Sequence, residues 1–236
     1  MRERPEVTEM LDTLAKKVDP RHAALIVVDV QNDFCAPKGM MDREGNDLTV
    51  VQAMVPRIRR LVDAARGAGV LTVFIQSIYG LAGSELLSES WLEQAGRRRK
   101  GSYTQYPVCA EGSWNYDFYG GLRPVEGEPI IHKHRFSAFE GTELDLILRS
   151  KGIRSVILTG VATNVCVETT ARHAFVKDYY VVFVGDATGT YSAEEQEMTL
   201  RNIDRYFGQV VTHDEVMGCW ERTAQHTSGG TTAEAG

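Results

Sequence analysis

Six short apolar runs, spaced widely enough for a helix between neighbours, decide what this sequence can fold into. They occupy residues 23–28, 70–75, 129–131, 155–158, 180–184 and 209–212. The first reads Ala-Ala-Leu-Ile-Val-Val with no polar break, the pattern of a strand buried on both faces. Helical periodicity fills the intervals. Ile58, Leu61, Val62 and Ala65 recur at helical spacing after Pro56, which suits a first helical turn, and Gly67 and Gly69 end the run. A helix is expected across 142–149. Val167, Thr170, Ala174 and Phe175 share a face of another, Ser192 with Glu195 three residues on caps a third, and a short one is expected near 214–221. Strand–helix alternation of this kind predicts an α/β fold: a Rossmann-like, six-stranded parallel sheet flanked by helices on both faces.

The chain has 236 residues, 43% of them hydrophobic. That supports one domain over 23–221, with an N-terminal arm over 1–22 and a flexible tail over 222–236. Net charge is −6, which argues against a nucleic-acid partner. No apolar stretch is long enough for a membrane span. The charged start Met-Arg-Glu-Arg-Pro-Glu carries no secretory signal. Cys35, Cys109, Cys166 and Cys219 are scattered without metal-ligand or disulfide spacing. A cytoplasmic setting is therefore expected. No G-x-G-x-x-G follows the first strand and no P-loop motif occurs, so no cofactor is expected. The run Arg97-Arg98-Arg99-Lys100 reads either as a solvated surface or as a positive rim around an anionic substrate. Residues 77–128 break the alternation. They are long, weakly periodic and rich in Gly, Ser and aromatics, as expected of a pocket wall or of a surface that packs on a second subunit.

Three chemistry-bearing residues stand at strand ends. Asp29 follows the first strand, Lys133 ends the third, and Cys166 lies eight residues beyond Leu158 of the fourth, after Gly160 and a polar turn. In a parallel sheet all three emerge on one edge, the edge where such folds bind ligands. Singly, each has a plain explanation: a turn aspartate, a solvated lysine, a small buried thiol. Jointly they place an anion and a cation where an unpaired charge is expensive. Mutual pairing around a reactive sulfur is the cheaper account. An ordinary thiol, with a pKa of about 8.5, is only a few per cent ionised at neutrality. Lys133 and a helix start at Cys166 are expected to depress it far enough to form a thiolate.

The motifs Val28-Asp29-Val30-Gln31-Asn32-Asp33-Phe34, Lys133, and Gly160-Val161-Ala162-Thr163-Asn164-Val165-Cys166-Val167 together resemble the isochorismatase-like cysteine hydrolase superfamily. That group includes nicotinamidases and amidohydrolases of N-carbamoylsarcosine, biuret and ureidoacrylate. The resemblance spans about 23–221. It implies a catalytic triad of Asp29, Lys133 and Cys166, a cis peptide between Val161 and Ala162, and an oxyanion hole from the N–H groups of Ala162 and Cys166. It also implies C–N bond hydrolysis through a thioester, no cofactor, and a homo-oligomer, dimer or tetramer, acting on a small molecule. Gln76-Ser77-Ile78-Tyr79 lacks the metal ligands that nicotinamidases carry there, so no metal is expected. His132 and His134 alternate with Lys133 and should face away from it. The runs 112–116, 148–154 and 163–168 are most similar to the ureidoacrylate branch. Gln105 falls where that branch has a pocket glutamine, while Ser77, Tyr79 and Phe136 replace its asparagine, tryptophan and tyrosine; these four are the implied substrate-contacting positions. The alternatives are vinyl-ether hydrolysis, which needs no nucleophilic cysteine, and a non-catalytic binding protein that retains the fold.

Overall fold

The computed structural model describes residues 9–81, 83–98 and 100–228. Six parallel strands form one sheet: β1 Ala23–Val28, β2 Leu71–Ser77, β3 Ile130–Lys133, β4 Ser155–Val161, β5 Tyr180–Gly189 and β6 Gln209–Val211, in the order β3-β2-β1-β4-β5-β6. The order reverses between β1 and β4. In such folds ligands bind beyond the carboxyl ends of the strands at that point.

The unbroken apolar reading of β1 has a direct structural cause. Ala23, Leu25 and Val27 join one core, and Ala24, Ile26 and Val28 join the other. The helices in chain order are α1 Leu14–Lys17, α2 Asn32–Cys35, α3 Met40–Arg43, α4 Thr49–Ala68, α5 Glu89–Arg98, α6 Leu144–Ser150, α7 Glu168–Val176, α8 Ala193–Tyr206 and α9 His213–Ser228. Helices α4 and α9 cover the first core, and α6, α7 and α8 the second. Both faces of the sheet are thus sealed, and the polar chemistry is left to its edge. Trp220 of α9 donates its indole N–H to the Val18 carbonyl just past α1, at 2.7 Å.

Several boundaries differ from the sequence reading. Helix α4 begins at Thr49, so Pro56 lies inside it and Gly67 does not end it. The proline forfeits one backbone hydrogen bond, but Val51, Met54 and Val55 continue the buried face of Ile58, Leu61 and Val62 toward the N-terminus. Gly69 caps the helix at φ 75°. Helix α5, in the segment read as irregular, buries only Ala95, too little apolar face for a periodic signal. Phe175, expected inside, is 48% exposed and meets Phe207 edge-on. Helix α9 continues through Ser228, into the segment expected as a flexible tail; 1–8 and 229–236 lie outside the described residues. No helix among the described residues is long and apolar enough to cross a membrane.

Candidate active site

The chain leaves β1 at Asp29, whose φ of 53° turns it sharply. Aspartate tolerates this left-handed region better than most residues. Across the crevice, Gly160 of β4 pairs with Val28 and has a φ of 113°. A Cβ there would lie 2.0 Å from the Val28 carbonyl oxygen, so only glycine lets the two strands approach this closely beside the site. The peptide between Val161 and Ala162 is cis. Residues Thr163–Val167 then form a π-helical turn that carries Cys166 and runs into α7.

Lys133 closes β3 opposite Ser77 of β2. Its ammonium is fully buried and lies 2.8 Å from Asp29 Oδ2. It donates to Ser77 Oγ at 2.9 Å, to the Arg135 carbonyl at 3.1 Å and to Cys166 Sγ at 3.4 Å. The contact with Asp29 is a buried ion pair and the shortest of the four. Both Asp29 oxygens are buried without a hydrogen-bond partner among the described residues. The structure therefore brings Asp29, Lys133 and Cys166 together. Burial opposes the charge on Lys133, but Asp29 and Cys166 hold its pKa well above the ordinary value.

A preformed thiolate does not follow from this arrangement. Burial pushes the Cys166 thiol up to about 12; Lys133 pulls it down, and Asp29 pushes it up. The lysine and the aspartate act on the sulfur with opposite signs. The helix start expected to assist is a π turn with Cys166 inside it. Burial thus opposes ionisation of the sulfur, with the Asp29–Lys133 ion pair beside it.

Cys166 opens onto a cavity of about 450 Å³. Ala162, Val165 and Asn164 contribute to its floor, and Phe34, Tyr79, Tyr103, Phe136 and Tyr191 contribute to its wall. Asn164 Oδ1 accepts the Thr190 hydroxyl at 2.7 Å, and Tyr191 donates to the Phe34 carbonyl at 2.8 Å. Trp91 backs the wall, stacked on Tyr79 at 5.2 Å and against Phe136 at 4.6 Å. Part of the long aromatic segment is therefore pocket wall. The basic run divides: Arg98 and Lys100 line the cavity together with Glu44 and Glu195, with Lys100 donating to the Glu44 carbonyl at 2.8 Å, whereas Arg97 pairs with Glu93 on the surface.

The four implied substrate positions separate. Tyr79 and Phe136 line the cavity. Ser77 does not; it is fully buried behind the site and holds Lys133. Gln105 does not either. It is exposed on an outer turn with its carboxamide against Gly101. The resemblance placed it by sequence order, but the loop turns its side chain outward. His132 faces away from Lys133 and meets the Tyr116 hydroxyl at 2.8 Å. Sequence reading passed over Thr190 and Tyr191, although they follow β5 on the same strand-end edge. It also gave Gln31 and Asp33 no task. Gln31 grips the backbone of Ser77. Asp33 accepts the N–H groups of Met40 at 2.9 Å and Cys109 at 2.7 Å and the Asn115 side chain, fastening the aromatic segment to the catalytic edge.

The isochorismatase domain model matches residues 23–215. A cysteine hydrolase from Pseudomonas syringae pv. phaseolicola 1448A is 27% identical over 87% of this chain and 95% of its own, with a TM-score of 0.74. N-carbamoylsarcosine amidase from Thermoplasma acidophilum is 25% identical over 82% of this chain and 97% of its own, with a TM-score of 0.64. A nicotinamidase from Bacillus subtilis is 26% identical over 80% of this chain and 98% of its own, with a TM-score of 0.65.

Proposed function

We propose, from the premise that this chain belongs to the isochorismatase family of cysteine hydrolases, that it cleaves the C–N bond of a small N-carbamoyl, ureido or carboxamide compound. One observation carries the reading. A single buried ammonium lies 2.8 Å from a carboxylate and 3.4 Å from a thiol that opens onto the cavity.

Substrate enters with its carbonyl carbon over Cys166 Sγ. As the S–C bond forms, the thiol proton passes to Asp29. The Lys133 charge stabilises the sulfur as it ionises. The carbonyl oxygen becomes an oxyanion held by the N–H groups of Ala162 and Cys166, a contribution of about 3 kcal/mol per donor in other hydrolases. The C–N bond then breaks, and Asp29 returns its proton to the leaving nitrogen. A thioester remains on Cys166. Water, deprotonated by Asp29, attacks it and releases the acid, and the proton returns to sulfur. With an N-carbamoyl substrate the intermediate is a carbamoyl thioester and the released acid is carbamate. Burial, which raises the Cys166 thiol, gives Asp29 a proton to take as the bond forms.

The aromatic wall suits a flat substrate, and two N-carbamoylsarcosine- and nicotinamide-named relatives keep both ureido and carboxamide substrates in view. The test is a panel of ureido acids, carbamoyl amino acids, biuret and simple carboxamides, scored by ammonia release. Wild type should turn over at least one. Cys166→Ala should lose that turnover, at least 10³-fold as an order-of-magnitude figure, with unchanged circular dichroism. Near-wild-type hydrolysis by Cys166→Ala overturns the reading.

A further inference from the structure

Asn164 shares the π turn of Cys166, lines the cavity, and spends only the oxygen of its carboxamide on the protein. We propose that Asn164 is a specificity-determining residue whose amide NH2 group selects substrates with a second oxygen acceptor, a carboxylate or carbonyl beyond the bond that breaks, and that Thr190 is the positioning residue that aims it. The inference rests on the cysteine-hydrolase reading above and narrows its substrate class.

The aim is built into the sheet edge. Gly189 ends β5 and pairs with Val161, which ends β4. Thr190 therefore emerges beside the turn that carries Asn164 and Cys166. Thr190 is buried, and its hydroxyl donates to Asn164 Oδ1 at 2.7 Å. A planar carboxamide held by its oxygen points its NH2 group away from that contact. Asn164 Nδ2 makes no hydrogen bond among the described residues, nor is it one of the sealed, unpartnered polar atoms there. Because Asn164 lines the cavity, its donors are available to an occupant. In the reading above, the reacting oxygen is assigned to the backbone N–H groups of Ala162 and Cys166. The Asn164 side chain is left for a different oxygen.

The rest of the lining leaves the choice to such a donor. Arg98 and Lys100 share it with Glu44 and Glu195, so formal charge balances and selects neither an anion nor a cation. Two other donors of the lining are already committed. Asn46 Nδ2 donates to the Met41 carbonyl at 3.0 Å, and the Tyr191 hydroxyl to the Phe34 carbonyl at 2.8 Å. A neutral directional donor discriminates through what a wrong occupant leaves behind. A methyl group placed against Asn164 Nδ2 strips its water and returns no acceptor, and that loss exceeds the net worth of an ordinary hydrogen bond.

The experiment takes the scissile group that the panel identifies and places it on a short alkyl chain ending in a carboxylate, a carboxamide or a methyl group. For a ureido group these are ureidopropanoate, its amide and propylurea. Wild type should show kcat/KM about tenfold higher for the carboxylate and carboxamide members than for the methyl member. The order of the first two tells which oxygen is preferred. Asn164→Ala should level the series, with most of the loss in KM rather than kcat. Asn164→Asp, equal in shape but with no N–H to give, should level it too and disfavour the carboxylate member further. Thr190→Val should move the ratio in the same direction by a smaller factor, and Thr190→Ser, which keeps the hydroxyl, should restore it. These two serve if the Asn164 variants do not fold. The ratio is taken within one preparation, so loss of active enzyme does not alter it. A wild type that does not discriminate overturns the proposal. So does a ratio that stays at its wild-type value in both Asn164 variants, whatever happens to kcat. If Cys166→Ala is inactive while that ratio does not move, Asn164 alone is excluded. If Cys166→Ala remains active, the reading beneath the proposal fails.

Discussion

Lys133 and Asp29 act on the sulfur with opposite signs, and this separates reactivity from turnover at single-residue resolution. Asp29 raises the thiol pKa and Lys133 lowers it. Replacing Asp29 by Asn removes the carboxylate and leaves the ammonium beside the thiol. The Cys166 pKa should then fall. Iodoacetamide should label Asp29→Asn faster than wild type at pH 8, while hydrolysis is lost because no base remains. Equal or slower labelling would show that Asp29 does not govern the sulfur. The buried lysine also loses its anion in this variant, at a cost of about 3–5 kcal/mol, so labelling is read well below the melting temperature. At this scale much was legible in advance. Asp29, Lys133 and Cys166 each interrupt or follow an apolar strand, and a charge there demands a partner. The upward push on the Cys166 thiol was not legible, because it comes from burial and from the nearness of the Asp29 carboxylate, which the sequence does not weigh. Gln105 misled because sequence order says nothing about which way a loop side chain turns.

Elements set the distances. β1 and β4 approach closely at Val28 and Gly160, and the crevice they form brings Asp29 toward Cys166. Gly160→Ala would place a Cβ against the Val28 backbone and require an unfavourable φ. It should destabilise the protein by about 3 kcal/mol, read as a lower urea midpoint, and reduce turnover more than Gly67→Ala, where a Cβ meets nothing within 4 Å. Equal effects of the two would remove the close approach from the account. The strands were readable because both faces of the sheet are buried, so their residues run apolar without alternation. Helix ends were less readable. Pro56 looks like a start, but Val51, Met54 and Val55 extend the buried stripe past it. Helix α5 was invisible for the opposite reason, since a helix that buries one alanine leaves no stripe to find.

On the scale of the whole molecule, floor and wall come from different kinds of chain. The floor belongs to the sheet edge. Part of the wall, Tyr79 and Tyr103, belongs to the segment after β2, which is closed at its neck where Gly80 and Val108 exchange two backbone hydrogen bonds of 2.8 Å each. A neck of that sort makes residues 81–107 a removable cassette. Transplanting the corresponding stretch from another hydrolase of this fold, joined at Gly80 and Val108, should redirect which compounds are accepted while iodoacetamide still finds Cys166 at its native rate. A graft that slows the labelling would mean that the roof and the reactive edge are one inseparable casting.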